Sequence, residues 1–191
     1  MPKLGMEPIR REALVQAIID EIGASGSLDV PVSRIAARAG MSSALAHHYF
    51  GKKDQMFLAA MRHILQEYHR EVCNALAEAQ SPRARLTAII VANFAQSCFT
   101  QPTVNAWMFF YAQAQSSPEA ARLLRLYQKR LHSNLVHALR PLTEDPVRVA
   151  EATAATIDGI YLRAAFDGQQ LSTEGSEIVL SVVESMLGDP K

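Results

Sequence analysis

Apolar residues recur every three or four positions through most of this 191-residue chain, the period of helices that bury one face. Ile9, Ala13, Leu14, Ala17, Ile18 and Ile22 mark a first helix with Pro8 in its first turn, ending in the glycine-bearing stretch 23–26. Two short helices follow, one built on Ile35, Ala36 and Ala39 and one on Ala46 and Phe50, with Gly40 and Met41 between them. Ser33 is placed to cap the first and Ser42 or Ser43 the second, and Gly40 supplies the left-handed residue of the turn.

The pattern then lengthens. A helix capped by Asp54 carries Phe57, Met61, Ile64, Leu65, Tyr68, Val72 and Leu76 to about residue 79. Ser81-Pro82 opens the next, with Leu86, Ile89, Ile90, Phe94 and Phe99 in it until Gln101-Pro102 stops it. Residues 104–115 form a short aromatic-rich helix, and Ser117-Pro118 starts another bearing Leu123, Leu124, Tyr127, Leu131, Leu135 and Leu139. Asp145-Pro146 begins a helix reaching about residue 168, and Ser172 leads into a last one ending near residue 188. Nine helices without a strand pattern predict an all-α fold: an N-terminal three-helix helix-turn-helix domain over 1–53 and a C-terminal six-helix bundle over 54–191. In the last two helices, Thr156, Ile157, Ile160, Tyr161, Ala164 and Ala165 form one stripe, and Ile178, Val179, Val182, Val183, Met186 and Leu187 another. These stripes are candidates for a four-helix interface in a homodimer, or else they face their own chain's core.

Charge sharpens the reading of the short helix pair. The chain has 19 Lys and Arg against 19 Asp and Glu. Yet Arg34, Arg38, Lys52 and Lys53 lie in a stretch with no acid among them. Ser42, Ser43, His47, His48 and Tyr49 add hydroxyl and imidazole groups on or beside the second short helix, where Ala44 permits close approach. Such groups bond phosphate oxygens and base edges in a major groove. The candidate DNA contacts are therefore Arg34, Ser42, Ser43, Ala44, His47, His48, Tyr49, Lys52 and Lys53, with double-stranded DNA as partner. Spacing alone would equally describe an ordinary helical hairpin. Residues 1–53 carry seven basic and five acidic side chains, a small excess that points to binding as a dimer, two positive faces together on an inverted-repeat operator. Lys3, Arg10 and Arg11 could lie against the backbone or simply be solvated.

Cys73 and Cys98 sit apart within apolar helical patterns and read as reduced core thiols. There is no signal-peptide pattern and no run of about 18 apolar residues, so a cytoplasmic protein without membrane contact is expected.

Residues 105–111, NAWMFFY, hold the only Trp and three more aromatics. Trp107, Phe110 and Tyr111 share one side of a helix, and Tyr127, Tyr161 and Asp158 could complete a box around a quaternary ammonium through cation–π attraction and counter-charge. Read from spacing alone, the same stripe is core.

Two resemblances bear on these alternatives. The run IAARAGMSSALAHHYFGKKDQMF is similar to the N-terminal signature of TetR-family transcriptional repressors, with His47 where that family commonly has Tyr. The opening MPK-x-GM-x-x-IRR, the segment AWMFFYAQA and the segment IDGIYLRAAF resemble the branch of that family that responds to choline and represses glycine betaine synthesis; Tyr111 and Tyr161 stand where the branch has Trp. The resemblance implies a repressor of choline-to-betaine osmoprotection genes, without cofactor, released from its operator by choline as small-molecule inducer. A second reading keeps this architecture with another cationic or apolar ligand. A third, an all-α enzyme, has only His63 with Glu67 and His132 with Asp158 as raw material, and no catalytic or metal motif joins them.

Overall fold

In the computed structural model, residues 5–25, 29–167 and 172–187 are described. They form α1 (Met6–Ser25), α2 (Val32–Arg38), α3 (Ser43–Phe50), α4 (Lys53–Glu78), α5 (Pro82–Ala92), α6 (Gln101–Ala114), α7 (Pro118–Leu139), α8 (Pro146–Asp167) and α9 (Ser172–Leu187), with no strand among the described residues.

Capping follows from local chemistry, with corrections. Ser42, Ser81 and Ser117 each accept a backbone N–H two residues into the helix that follows, and Asp145 does so for α8. Ser33 does not cap α2; Pro31 precedes the helix with extended backbone, and its carbonyl accepts from Arg34 and Ile35, so the turn closes one residue earlier. Asp54 likewise lies inside the first turn of α4, where its charge complements the helix dipole, while Lys52 occupies the cap position. The fifth helix stops at Ala92, because Asn93 turns its side-chain amide back onto the Ile89 carbonyl. Gln101-Pro102 therefore opens a helix instead of closing one, with Thr100 as its cap. The expected ends near 168 and 188 lie outside the described residues.

Gly40 and Gly51 have φ of 66° and 73°, and they end α2's turn and α3 where a side chain would be strained. α1 packs on α2, α4 and α6, so the helix-turn-helix is held to the bundle by both α4 and α6. Its C-terminal end approaches α6 closely at Gly23, whose carbonyl accepts from Asn105 Nδ2 at 3.2 Å.

The stripes on α8 and α9 resolve differently from expectation. Ile157, Ile160, Tyr161, Ala164, Val179 and Val183 are buried in their own chain's core. What α8 leaves outward is the adjacent row Ala155, Gly159, Leu162 and Phe166, with Leu162 51% and Phe166 82% exposed. A helix has one face for each neighbour, and here the β-branched and aromatic side took the intramolecular one. Cys98 is buried but Cys73 is exposed, correcting its reading as a core thiol; both are free. No helix among the described residues is long and apolar enough to cross a membrane.

Candidate functional site

α3 turns Ala44, His47 and His48 outward on one face, spaced three and four apart, while Ala46 is fully buried beneath them. Ser43 and Tyr49 are half-buried at the margins, and Lys52 is exposed beyond the helix end. Ser42 accepts the Leu45 N–H at 3.2 Å and keeps its own hydroxyl proton for another acceptor. His47 Nδ1 lies 2.7 Å from the Gly51 carbonyl oxygen, so Nδ1 donates and Nε2 is the nitrogen left for a base edge or phosphate.

The cations are tied more tightly than their spacing suggested. Arg34 Nε sits 2.5 Å from Glu21 Oε2, and Arg38 pairs with the other oxygen of the same carboxylate. Glu21 is only 2% exposed. Its carboxylate is thus the hidden centre of an ionic triad that fixes α2 against α1, and it holds the Arg38 guanidinium further above its ordinary range. Lys53 Nζ donates to Asp29 Oδ1 at 3.1 Å on the exposed surface. Arg11 is turned inward to donate to the Tyr49 carbonyl at 2.9 Å, with its guanidinium over the Tyr49 and Phe50 rings. It joins α1 to the end of α3. Sequence reasoning missed Glu21, although an acid three residues after Ile18 on an apolar stripe was the available signal.

In the bundle, the ring cluster assembles. The Trp107 centroid lies 4.7 Å from Tyr127, 5.8 Å from Tyr111 and 6.3 Å from Tyr161. Phe110 also touches Trp107 but points toward Phe57 and is completely buried, a core residue between α6 and α4. Tyr161 donates to the Asn93 carbonyl at 2.5 Å, fixing α8 to the turn after α5. Tyr68 and Phe99 complete the group, edge-on to Tyr127 and Tyr161 respectively; neither had been singled out for the site.

Asp158 sits at the edge of this cluster, half-buried, and accepts the Tyr111 hydroxyl at 2.9 Å. Burial pushes its pKa up, the hydrogen bond from Tyr111 opposes that, and no Lys, Arg or His pairs with it among the described residues. Burial also drives the Tyr127 and Tyr161 phenols well above their ordinary range, so both stay neutral. The arrangement is an electron-rich, dry aromatic wall beside one uncompensated carboxylate. The other candidate pairs do not converge: His63 Nε2 is 3.9 Å from Glu67, which is engaged by Arg70, and no group of three metal-ligating side chains occurs among the described residues.

Comparison with known proteins agrees with both halves. Residues 14–60 match the family described as bacterial regulatory proteins, tetR family, and residues 82–188 match BetI-type transcriptional repressor, C-terminal. The chain is 51% identical over 182 residues to an HTH-type transcriptional regulator BetI of Brucella anthropi, covering 94% of this chain and 93% of that protein. It is 50% identical to the regulator of the same name from Agrobacterium fabrum over 165 residues, 85% of this chain and 80% of the other. Among solved structures, a putative transcriptional regulator from Pseudomonas aeruginosa PAO1 shares the fold, with a TM-score of 0.80 at 23% identity over 98% of this chain and 94% of that one. A putative transcriptional regulator from Saccharomonospora viridis, solved in complex with choline, superposes with a TM-score of 0.81 at 17% identity over 91% and 94%.

Proposed function

The chain belongs to the TetR family of bacterial transcriptional regulators, in its BetI-type branch, and from that premise we propose that it is a homodimeric repressor released from an inverted-repeat operator by choline. It is a DNA-binding regulator, not an enzyme. Residues 1–53 act as the reading domain, with Ala44, His47 and His48 as its outward face and Ser42, Ser43, Tyr49, Lys52 and Lys53 around it. Arg34 contributes positive potential from within its triad with Glu21. Residues 54–191 sense the ligand and hold the dimer.

The observation that carries the ligand assignment is Asp158: a half-buried carboxylate with one neutral hydrogen-bond partner, beside Trp107, Tyr111, Tyr127 and Tyr161. A quaternary ammonium supplies the missing counter-charge and makes cation–π contacts of about 0.5–2 kcal/mol each, depending on desolvation. The choline complex of the structural neighbour fits this reading. A ligand releases DNA only by binding the non-reading form better, and about 2.7 kcal/mol of preference corresponds to a hundredfold shift.

Asp158→Asn should leave DNA affinity intact and abolish release by choline in a gel-shift titration. Because Asp158's pKa is raised in the fold, its charged form is the one a cation stabilises, so choline affinity should fall as pH drops through that raised range. Full choline response in the Asn variant would remove Asp158 from the site. No release of wild type at millimolar choline would turn the assignment to another cationic or apolar ligand.

Dimerisation rests on the outward row of α8. Leu162, Phe166 and, on α9, Ile178 are exposed apolar side chains, and nothing lies within 4 Å of a Cβ built on Gly159, leaving room for a second backbone. A twofold pairing there would place two reading helices about 34–36 Å apart or somewhat more, to match half-sites on one side of the duplex. Phe166→Glu should convert the dimer to monomer in sedimentation analysis and weaken operator binding; an unchanged sedimentation coefficient would place the interface elsewhere.

A further inference from the structure

A groove runs between α4 and α7 on the side of the bundle away from Asp158's carboxylate chemistry, with a cavity volume of about 470 Å³. This is within the size range of small-molecule sites. Its walls are Leu65 and Val72 from α4 and Leu123 and Leu126 from α7, and Leu126 is 46% exposed, a large apolar side chain held open to solvent. Its floor is Tyr68 and Tyr127, packed edge-on at 5.6 Å.

The rim has one sign. Arg62 and Arg130 reach it from the two facing helices, and His69, Gln66 and Asn134 add hydrogen-bonding groups, while no carboxylate lines the groove. That is a local excess in a chain whose acids and bases are equal in number, 19 of each. The carboxylates of neighbouring turns are engaged elsewhere: Glu67 with Arg70, Glu71 with the Ser97 hydroxyl, Glu119 with Gln55. Neither Arg62 nor Arg130 forms an ion pair among the described residues. Two free guanidiniums over an apolar trough complement a ligand with an anionic head and an apolar tail, and they oppose a cation.

We propose that this groove is a second effector site, which takes a small anionic amphiphile: a carboxylate held by Arg62 and Arg130, with its alkyl or aryl tail laid along Leu65, Val72, Leu123 and Leu126. The site is distinct in charge class from the aromatic cluster but shares a wall with it. Tyr127 presents one side of its ring to the groove and the other to Trp107 at 4.7 Å. Arg62 also borders the cleft between α1, α3 and α4, where Arg11 and Phe50 lie. An occupant therefore touches the helix that leads to the reading domain and the ring that backs the cation site.

The test is calorimetric titration of the full-length chain with decanoate, decyl sulfate, decanol and decyltrimethylammonium. Decanoate and decyl sulfate should bind once per chain, with decanol and the cationic analogue weaker by about tenfold or more, the loss expected when charged hydrogen bonds go unmade. Arg62→Gln with Arg130→Gln should weaken decanoate by at least about tenfold while thermal stability and choline binding stay at wild-type values, since both side chains are exposed. Leu126→Glu should abolish decanoate binding by placing an anion in the trough. Equal affinity for decanoate in wild type and the double Gln variant would overturn the proposal, as would tighter binding of the cationic analogue, or binding only in multiples typical of detergent uptake. Failure of choline to release DNA would leave this result untouched, so the two readings stand or fall separately.

Discussion

Gly23→Ala should lower the melting temperature by several degrees and uncouple ligand from DNA more severely than it weakens either. An added Cβ would lie 2.5 Å from both Cα and Cβ of Pro102, and the first of these is backbone that cannot swing aside. α1 and α6 must then separate, with the Asn105-to-Gly23 hydrogen bond stretched or broken. Overpacking of this kind costs about 1–3 kcal/mol, which in a chain of this length lowers the melting temperature by about 2–4 °C per kcal/mol. α6 carries Trp107 and Tyr111, while α1 carries Arg11, which grips the end of α3. The wedge therefore sits on a second connection between cluster and reading face, parallel to α4. Operator anisotropy with and without choline checks this: affinity near wild type but a choline response cut by about tenfold is expected. A normal response despite a lowered melting temperature would leave α4 as the sole transmitter.

Removing Arg34 and Arg38 together, each to Met, should cost more stability than Glu21→Gln. The two arginines are half-exposed and can find water, but Glu21 at 2% exposure cannot. Stripping its partners leaves a buried, uncompensated carboxylate, for which about 3–5 kcal/mol is usual, and the partial exposure of the partners brings the expected loss to about 2–3 kcal/mol. Glu21→Gln keeps the volume and leaves the cations to solvent, at about 1 kcal/mol. Adding Glu21→Leu to the double Met variant should recover most of the loss, because no charge is then buried. Urea denaturation of the four proteins gives the ordering, and a Gln variant as unstable as the double variant would show that the triad is not held together by the carboxylate's burial. In DNA binding, the double variant should also lose salt dependence, since both cations lie at the reading domain's surface.

The legible features of this protein were local ones. Ser42, Ser81, Ser117 and Asp145 cap helices as expected because a cap is decided by the residue and the next three backbone N–H groups. Ser33, Asp54 and Gln101-Pro102 misled for the same reason in reverse: each could serve as a signal, and a neighbour one or two positions away served better. Of the candidate ligand residues, Trp107, Tyr111, Tyr127, Tyr161 and Asp158 do meet, and Phe110 belongs to the core beside them.

By itself, the order of residues determined that the chain is nine helices, that a glycine turn joins two short ones into a reading pair, and that its basic stretch lies there, since periodicity, caps and charge runs are written within a few positions. Only the tertiary structure decided that Glu21 gathers both arginines, that Tyr161 reaches a carbonyl 68 positions back, that Asp158 lacks a cationic partner, and that Phe166 rather than Ile160 faces outward. These depend on how each helix is rotated about its axis and how closely it approaches its neighbour. That is set by the packing of several helices at once, and no single helix's period contains it.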